Sequence, residues 1–281
     1  MNEALKISTF KDISAFILET LQKRYQADIE IKYVKNANES HQDLIDKRAD
    51  IVFMSYDDTL SIYFEKKFHD IRAFMPIHGG ILDLCGNINF KLNQVNIGID
   101  TDSGYARALR TYLKTTLSTQ DYNQLKWLKS GATNIRYKKL INGQLDATLL
   151  NPPFCVMPNV NCLTNLYKHL GEYQGLIANT RQKWFIKNQS RVNKFITIYH
   201  ELLASILNNA EQTIDQIKQF YAISQDTAQK IYARLLESDG LNFSKDFNNR
   251  LKNTEKIFCS EMKNVYIPEK RDWIIAYDIV S

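Results

Sequence analysis

Leu44-Ile45-Asp46-Lys47-Arg48-Ala49-Asp50-Ile51-Val52-Phe53-Met54-Ser55-Tyr56 has a counterpart downstream in Leu140-Ile141-Asn142-Gly143-Gln144-Leu145-Asp146-Ala147-Thr148-Leu149-Leu150-Asn151-Pro152. Each reads as the end of an amphipathic helix, a short polar turn, an acid, a buried strand, and a polar residue where the strand stops. A matching pair lies upstream. Leu5-Lys6-Ile7-Ser8-Thr9 opens the first copy and Val95-Asn96-Ile97-Gly98-Ile99-Asp100 opens the second, and each runs into a helix. Two similar α/β halves leave a seam between them, and seams are where small molecules bind.

Working outward, the first half reads as a strand over 4–9 and a helix with Ile13, Phe16, Ile17, Leu21 and Tyr25 on one face. An alternating strand covers 29–34, and Asn38 or Ser40 caps a short helix carrying Leu44 and Ile45. Residues 51–54 form a fully apolar strand of the kind found in parallel sheets. Asp57 and Asp58 fall in the first turn of the next helix, and a further strand covers 71–77.

The Asn- and Gly-rich stretch 86–93 marks the passage into the second half. There a strand over 95–99, a helix from Ser103 bearing Tyr105, Ala108, Leu109, Tyr112 and Leu113, a strand over 125–128, a helix over 132–141 and a strand over 145–150 repeat the scheme. Gly175-Leu176-Ile177-Ala178 reads as a strand returning to the first half. Beyond Thr180 the chain is mostly helical, with an apolar stripe from Val192 to Ile206 and helices over 214–221 and 225–237. The tail 241–281 is ambiguous: its Trp273-Ile274-Ile275-Ala276-Tyr277 is a strand or a docking segment.

Strands alternating with helices of this length imply an α/β fold of parallel sheets covered on both faces. The expected organisation is a discontinuous lobe 1, residues 1–77 and 178–281, with the C-terminal helices, and a lobe 2 of residues 78–177. The chain then crosses between lobes near 76–80 and near 172–179, and such a double crossing is a hinge suited to closing over a ligand.

At 281 residues with 44% hydrophobic and 24% charged content the composition is that of a soluble globular protein. The net charge of +5 comes without an Arg/Lys cluster interleaved with aromatics, which argues against nucleic acid. No apolar run approaches the roughly 18–20 residues of a membrane span. Met1-Asn2-Glu3-Ala4 leads straight into a strand without a signal-peptide pattern. The compartment is therefore cytoplasmic, or periplasmic or extracytoplasmic if a signal peptide has been removed. Cys85, Cys155, Cys162 and Cys259 include no CxxC pair. Cys155 and Cys162 bracket a short loop and are either free or joined in a disulfide.

The chain resembles the substrate-binding proteins of the NMT1/THI5-like (SsuA/THI5) group, which have the type II periplasmic-binding-protein fold. The resemblance rests on Ala49-Asp50-Ile51-Val52-Phe53-Met54-Ser55-Tyr56-Asp57-Asp58, on Gly98-Ile99-Asp100-Thr101-Asp102-Ser103-Gly104-Tyr105-Ala106, and on Gly131-Ala132-Thr133 through Asn142-Gly143-Gln144-Leu145-Asp146-Ala147-Thr148-Leu149-Leu150-Asn151-Pro152-Pro153-Phe154. It spans residues 4–208 and is specific in order and spacing rather than in any one piece. It implies capture of a small organic nutrient between the lobes and delivery to the permease of an ABC importer, with no catalysis and no cofactor. Known ligands of the group include thiamine precursors, sulfonates and other small aromatic or anionic nutrients. One branch is instead a cytoplasmic enzyme that makes a pyrimidine precursor of thiamine, consuming pyridoxal phosphate and one of its own histidines. That branch carries a cysteine-rich iron cluster, whereas the four cysteines here are scattered. A monomer is expected.

In open α/β sheets ligands sit beyond the carboxyl ends of the strands. An aromatic stands near each of four such ends: Phe10, Tyr56, Tyr105 and Phe154. These rings would wall an aromatic or heterocyclic ligand; the alternative for each is packing in its own lobe's core. Polar candidates at the same ends are Thr9, Ser55, Asp57, Asp102, Ser103 and Asn151. The N–H groups of Ser103 and Gly104 open a helix and suit an anion, but Asp102 at that positive end argues against a strongly anionic ligand. Asp57 and Asp58 would pair with a ligand amine, or merely satisfy their own helix end. His78, beside Gly79-Gly80, is a donor on the cleft floor or a solvated hinge residue. His41, His69, His169 and His200 show no metal spacing and receive no role. No nucleophile elbow, HExxH or P-loop is present.

Overall fold

The computed structural model describes residues 4–86, 94–241, 247–262 and 265–275. The first sheet grows from the apolar runs of the N-terminal half. β1 (Leu5–Thr9) lies between β2 (Ile29–Tyr33) and β3 (Ile51–Ser55), parallel to both. All five residues of β3 are buried, as a strand covered on both faces requires. Between the strands run α1 (Ile13–Tyr25), capped by Asp12, and α2 (Ala37–Ile45), capped by Asn36. α3 (Tyr56–Leu60) starts directly from β3 with Ser55 as its cap, and β4 (Ile71–Pro76) completes the first pass.

The second lobe contains β5 (Asp83–Gly86), β6 (Asn96–Ile99), α4 (Tyr105–Thr116), α5 (Thr119–Asn123), β7 (Lys126–Lys129), α6 (Thr133–Ile141), β8 (Ala147–Leu150), β9 (Cys162–Asn165) and α7 (Tyr167–Leu170). The chain then returns as β10 (Leu176–Arg181) and ends in α8 (Gln182–Lys187), α9 (Gln189–Asn208), α10 (Ala210–Tyr221), α11 (Gln225–Leu235) and α12 (Phe247–Glu261). Among the described residues no helix is long and apolar enough to cross a membrane.

The two sheets have the orders β2-β1-β3-β10-β4 and β7-β6-β8-β5-β9. They are mixed rather than parallel. β10 runs antiparallel to β3 and β4, and β5 runs antiparallel to β8 and β9. The cause is the double crossing. β5 follows the first crossing and β10 the second, so each enters its sheet from the neighbouring lobe, where the parallel strands end, and must run back against them.

The passage into lobe 2 precedes the Asn- and Gly-rich stretch, because β5 already pairs with β8 at Asp83–Gly86; residues 87–93 lie outside the described residues. The hinge itself is glycine-built. A Cβ on Gly175 would lie 2.2 Å from the Gly80 Cα, so the two crossing segments touch backbone to backbone. Gly80 also has φ +127°, a conformation costly for any side chain. Beside it Arg234 of α11 binds both Asp83 and Asp239 through four hydrogen bonds of 2.6–2.9 Å.

Lobe 1's core takes in the expected stripe of α9, with Val192, Phe195, Tyr199, Leu202 and Ile206 against Ile7, Phe53 and Ala178. Lobe 2's core gathers Ile97, Leu109, Leu113, Ala147 and Leu149. α12 serves both lobes: Leu251 and Phe258 pack with Tyr56, Ala73 and Trp273, while Ile257 joins the lobe 2 core. Within the tail, Trp273 is buried and Ile274 makes a single bridge to Ala73 at the sheet edge, as a docking segment does, while Ala276 and Tyr277 lie outside the described residues. Cys155 and Cys162 are free thiols. Cys162 instead stands opposite Cys85 on the neighbouring strand.

Candidate functional site

The carboxyl ends of β1, β3, β6 and β8 meet at the seam, and a cavity of about 680 Å³, its mouth included, lies between them. Lobe 1 contributes Phe10, Asp12, Ala37, Ser55 and Asp58, and the second crossing adds Leu176. Lobe 2 contributes Gly98 to Asp100, Ser103 to Ala106, Leu109, Thr133, Arg136 and Leu149 to Asn151, with Leu82 from the crossing. Only about 50 Å³ of this space admits the centre of a water-sized sphere, so the closed seam is small beside the roughly 300–1,000 Å³ of an ordinary ligand pocket. The lining among the described residues includes no lysine and no histidine.

The lobes are closed over this space by direct bonds. Asn151 Nδ2 donates to Asp12 Oδ2 at 2.8 Å, and Ile13 N donates to the Pro152 carbonyl at 3.1 Å. Ala37 N reaches Asp100 Oδ2 at 3.0 Å, and Ala132 N reaches the Lys35 carbonyl at 2.8 Å. Ser103 Oγ donates to Asp58 Oδ1 at 2.8 Å. Asp57 Oδ1 receives Gly104 N at 2.7 Å and Arg107 Nη1 at 2.5 Å. Gly104 is needed there: it has φ +62°, and a Cβ would stand 2.8 Å from Asp58 Oδ2.

These contacts fill positive helix ends with the chain's own carboxylates. Asp12 accepts from Ser14 N at the start of α1, at 2.9 Å. Asp57, from the opposite lobe, accepts from Gly104 N at the start of α4. Asp102, expected at that end, lies outside on the surface and pairs with Lys129 at 2.5 Å.

The acids differ in state. Burial would raise Asp58, but hydrogen bonds from His41, Ser55 and Ser103 outweigh it and hold the carboxyl below its ordinary range. Burial pushes Asp57 up to about 7 against the pull of Arg107. Burial pushes Asp100 up to about 6, against Arg136 and helped by the charge of Asp58. Burial also raises Asp12, opposed by its bonds from Ser14 and Asn151. Arg136 is held in place by donating to the Gly131 carbonyl at 2.5 Å and to the Leu149 carbonyl at 3.1 Å. Four buried polar atoms of these lining residues have no partner among the described residues: Asp100 Oδ1, Tyr105 Oη, Thr133 Oγ1 and Asn151 Oδ1.

Of the residues expected from sequence, Phe10, Ser55, Ser103, Gly104, Tyr105 and Asn151 line the cavity together. The others do not. Tyr56 is fully buried in the α12 contact, donating to Glu255 Oε1 at 2.6 Å and accepting from Trp273 Nε1 at 2.8 Å. Phe154 stacks on Tyr137, with ring centres 5.2 Å apart. Thr9 is buried at the end of β1. Asp57 is spent on the contact between the lobes, accepting from Gly104 N and Arg107 Nη1. His78 is buried in the hinge, its Nδ1 accepting from Gly80 N at 3.1 Å, and burial pushes it down to about 4, so it is neutral.

Sequence reasoning named no role for Asp12, Asp100, Thr133 or Arg136. Asp12 carried a readable signal, an acid just before an apolar-periodic helix. His41, given no role, positions Asp58 through a 3.0 Å contact to its Oδ1.

No protein-family model and no curated protein matches this sequence. Solved structures do match in shape. The ligand-binding component of an ABC-type import system from Staphylococcus aureus, with zinc bound, superposes with a TM-score of 0.71 at 13% identity, covering 91% of each chain. The alkanesulfonate-binding protein SsuA from Xanthomonas axonopodis, bound to MOPS, gives 0.65 at 15% identity over 83% of this chain and 84% of the other. A Candida albicans gene product described as having the generic periplasmic binding protein fold gives 0.64 at 12% identity over 91% and 89%. The fold is that of a periplasmic binding protein.

Proposed function

We propose that this chain is a solute-binding protein that closes its two lobes over a small organic molecule and delivers it to the permease of an ABC importer. The observation that carries this reading is the closed seam cavity with four buried polar atoms left without partners among the described residues. Buried polar atoms are nearly always satisfied, so a cluster of exceptions in one pocket points to a ligand that satisfies them. The ABC-import component from S. aureus and the alkanesulfonate-binding SsuA, similar over most of their length, support the transport role. Delivery to a permease places the working site outside the cytoplasm. The moving bodies are lobe 1, residues 1–77 and 178–281, and lobe 2, residues 78–177, with α12 as a strap across both.

A planar or aromatic portion of the solute fits between Phe10 and Tyr105, the rings on the lining. Capture is favoured over the pyridoxal-phosphate chemistry of the enzyme branch, which draws on a lysine and a histidine aimed into the cleft. The test is native mass spectrometry of the protein after exposure to a yeast-extract small-molecule fraction, followed by thermal denaturation with the retained compound. A retained mass that raises the melting temperature is expected, because saturation at 100 times Kd adds about 2.7 kcal/mol. Retention unchanged by Arg136→Ala together with Asn151→Ala would mean that the seam is not the binding site.

A further inference from the structure

We propose, on the footing of capture in this cavity, that the solute carries a cationic nitrogen group, an amine or amidine with at least two N–H donors, seated against Asp100 and Asn151. The first support is hydrogen-bond polarity. Asp100 Oδ1 and Asn151 Oδ1 are buried without partners. Asn151 is oriented by its Nδ2 donation to Asp12, so its free atom is the acceptor. Both fixed groups therefore ask for donors, whereas the Tyr105 and Thr133 hydroxyls turn to suit either role. A sulfonate or carboxylate would set acceptors against acceptors.

The second support is charge. Asp12, Asp58 and Asp100 line the cavity against one guanidinium, Arg136. Taking carboxylates out of water is costly unless each finds a cation or several donors. Asp58 has His41, Ser55 and Ser103. Asp100 has the Ala37 amide on one oxygen only. A ligand cation completes Asp100 and balances the excess.

The third support is the fate of the helix ends. An anionic solute in an open α/β cleft is ordinarily held by helix N-termini. Here α1 and α4 spend that field on Asp12 and Asp57, and α2 on Asp100 through the Ala37 amide, while the α6 end at Thr133 carries no side-chain cap. The lining residues Phe10 and Tyr105 are consistent with the same conclusion, since aromatic rings attract cations.

The experiment uses the full chain at pH 7.5, titrated calorimetrically with benzylamine, benzamidine and agmatine and with benzoate, benzenesulfonate and ethanesulfonate. In parallel, the molecule retained from yeast extract is identified by mass. Binding of at least one cation, no binding of the anions, and a tenfold or greater loss of affinity in Asp100→Asn are expected. Because Asp100→Asn keeps the oxygen that Ala37 bonds, circular dichroism should show it folded. Binding of an anion, a retained anionic molecule, or undiminished cation affinity in Asp100→Asn overturns the inference and leaves capture standing. Failure of all six probes together with no retained mass overturns both.

Discussion

Asn151 and Asp12 join the lobes by a single bond, Nδ2 to Oδ2 at 2.8 Å, and the other atom of the same amide is buried without a partner among the described residues. On the proposed capture, one residue would touch both the solute and the closure contact. The substitution Asn151→Asp replaces a donor by a second carboxylate facing Asp12. It removes a bond to a charged group, worth about 1.5–3 kcal/mol, and adds like-charge repulsion. The lobes of the unliganded variant should separate at pH 7.5, raising the radius of gyration in small-angle scattering above that of the parent. Identical scattering profiles would show that this bond does not hold the seam.

Asp100 is expected to trade stability for binding. Its carboxyl is raised from 3.8 to about 6, under the influence of Arg136, Asp58 and the Ala37 amide, and Asp12 also acts on Arg136. An acid raised on folding disfavours the folded state above its unfolded value, and the penalty is complete once the pH exceeds the folded one. Asp100→Asn should therefore raise the ligand-free melting temperature at pH 7.5 and leave it nearly unchanged near pH 3.5. The parent's affinity for a cation should increase from pH 5 to pH 7.5, because binding favours the ionised carboxyl. An affinity that falls over that range would rule out an ionic contact at Asp100.

The parts legible from sequence were those encoded by contiguous apolar runs. The runs over 51–54 and 145–150 and the stripe from Val192 to Ile206 became β3, β8 and α9. Strand direction was not legible for β5 and β10, because it depends on the lobe from which the chain arrives and not on the four to six residues of the strand. α12 was hidden by its own buried face, which includes Arg250, Thr254 and Glu255 beside Leu251 and Phe258 and so blurs the apolar period. At the site, Ser55, Ser103 and Asn151 were visible as polar residues at strand or helix ends. Arg136 was not, since it lies a full turn into α6 and reaches back to the Leu149 carbonyl. Tyr56 and Tyr105 occupy equivalent places after β3 and β6, yet only the presence of α12 over one of them decides which ring is core.

That difference separates two tyrosines experimentally. Tyr56 fills a site between Trp273 and Glu255, and Tyr56→Ala should cost about 3–5 kcal/mol, the range for deleting a buried aromatic. Urea denaturation measures this directly. Tyr105→Phe removes a hydroxyl that has no protein partner, so the ligand-free urea midpoint should hold or rise while affinity for the solute falls. A Tyr105→Phe variant with lowered ligand-free stability would place that hydroxyl in a structural bond instead.

At the hinge, Gly175→Ala tests the backbone contact. The added methyl would stand 2.2 Å from Gly80 Cα and 2.9 Å from the Gly79 carbonyl carbon, so the crossing segments must move apart. Overpacking of this kind costs about 1–3 kcal/mol. Since these segments carry the lobes, the scattering envelope should change along with the urea midpoint. A midpoint and envelope equal to the parent's would mean that the two strands of the hinge are not held in contact.

Arg234 holds lobe 2 to the C-terminal helices. It sits between Asp83 of β5 and Asp239, both carboxylates nearly buried. Removing one member of such a group leaves charge stranded, at a cost of about 3–5 kcal/mol, so Arg234→Ala should lower the urea midpoint strongly at pH 7. The acid limb supplies a second signature. Burial would raise Asp239, but hydrogen bonds and charge from Arg234 win and hold it below 3.8. An acid depressed on folding contributes stability that is present above its unfolded value and lost as the pH falls through its folded one. The parent should therefore lose stability on titration below pH 3.8, and Arg234→Ala should lose less over the same interval. Parallel acid limbs in the two proteins would show that Arg234 is not what keeps Asp239 ionised, and that the hinge is held by its backbone contacts alone.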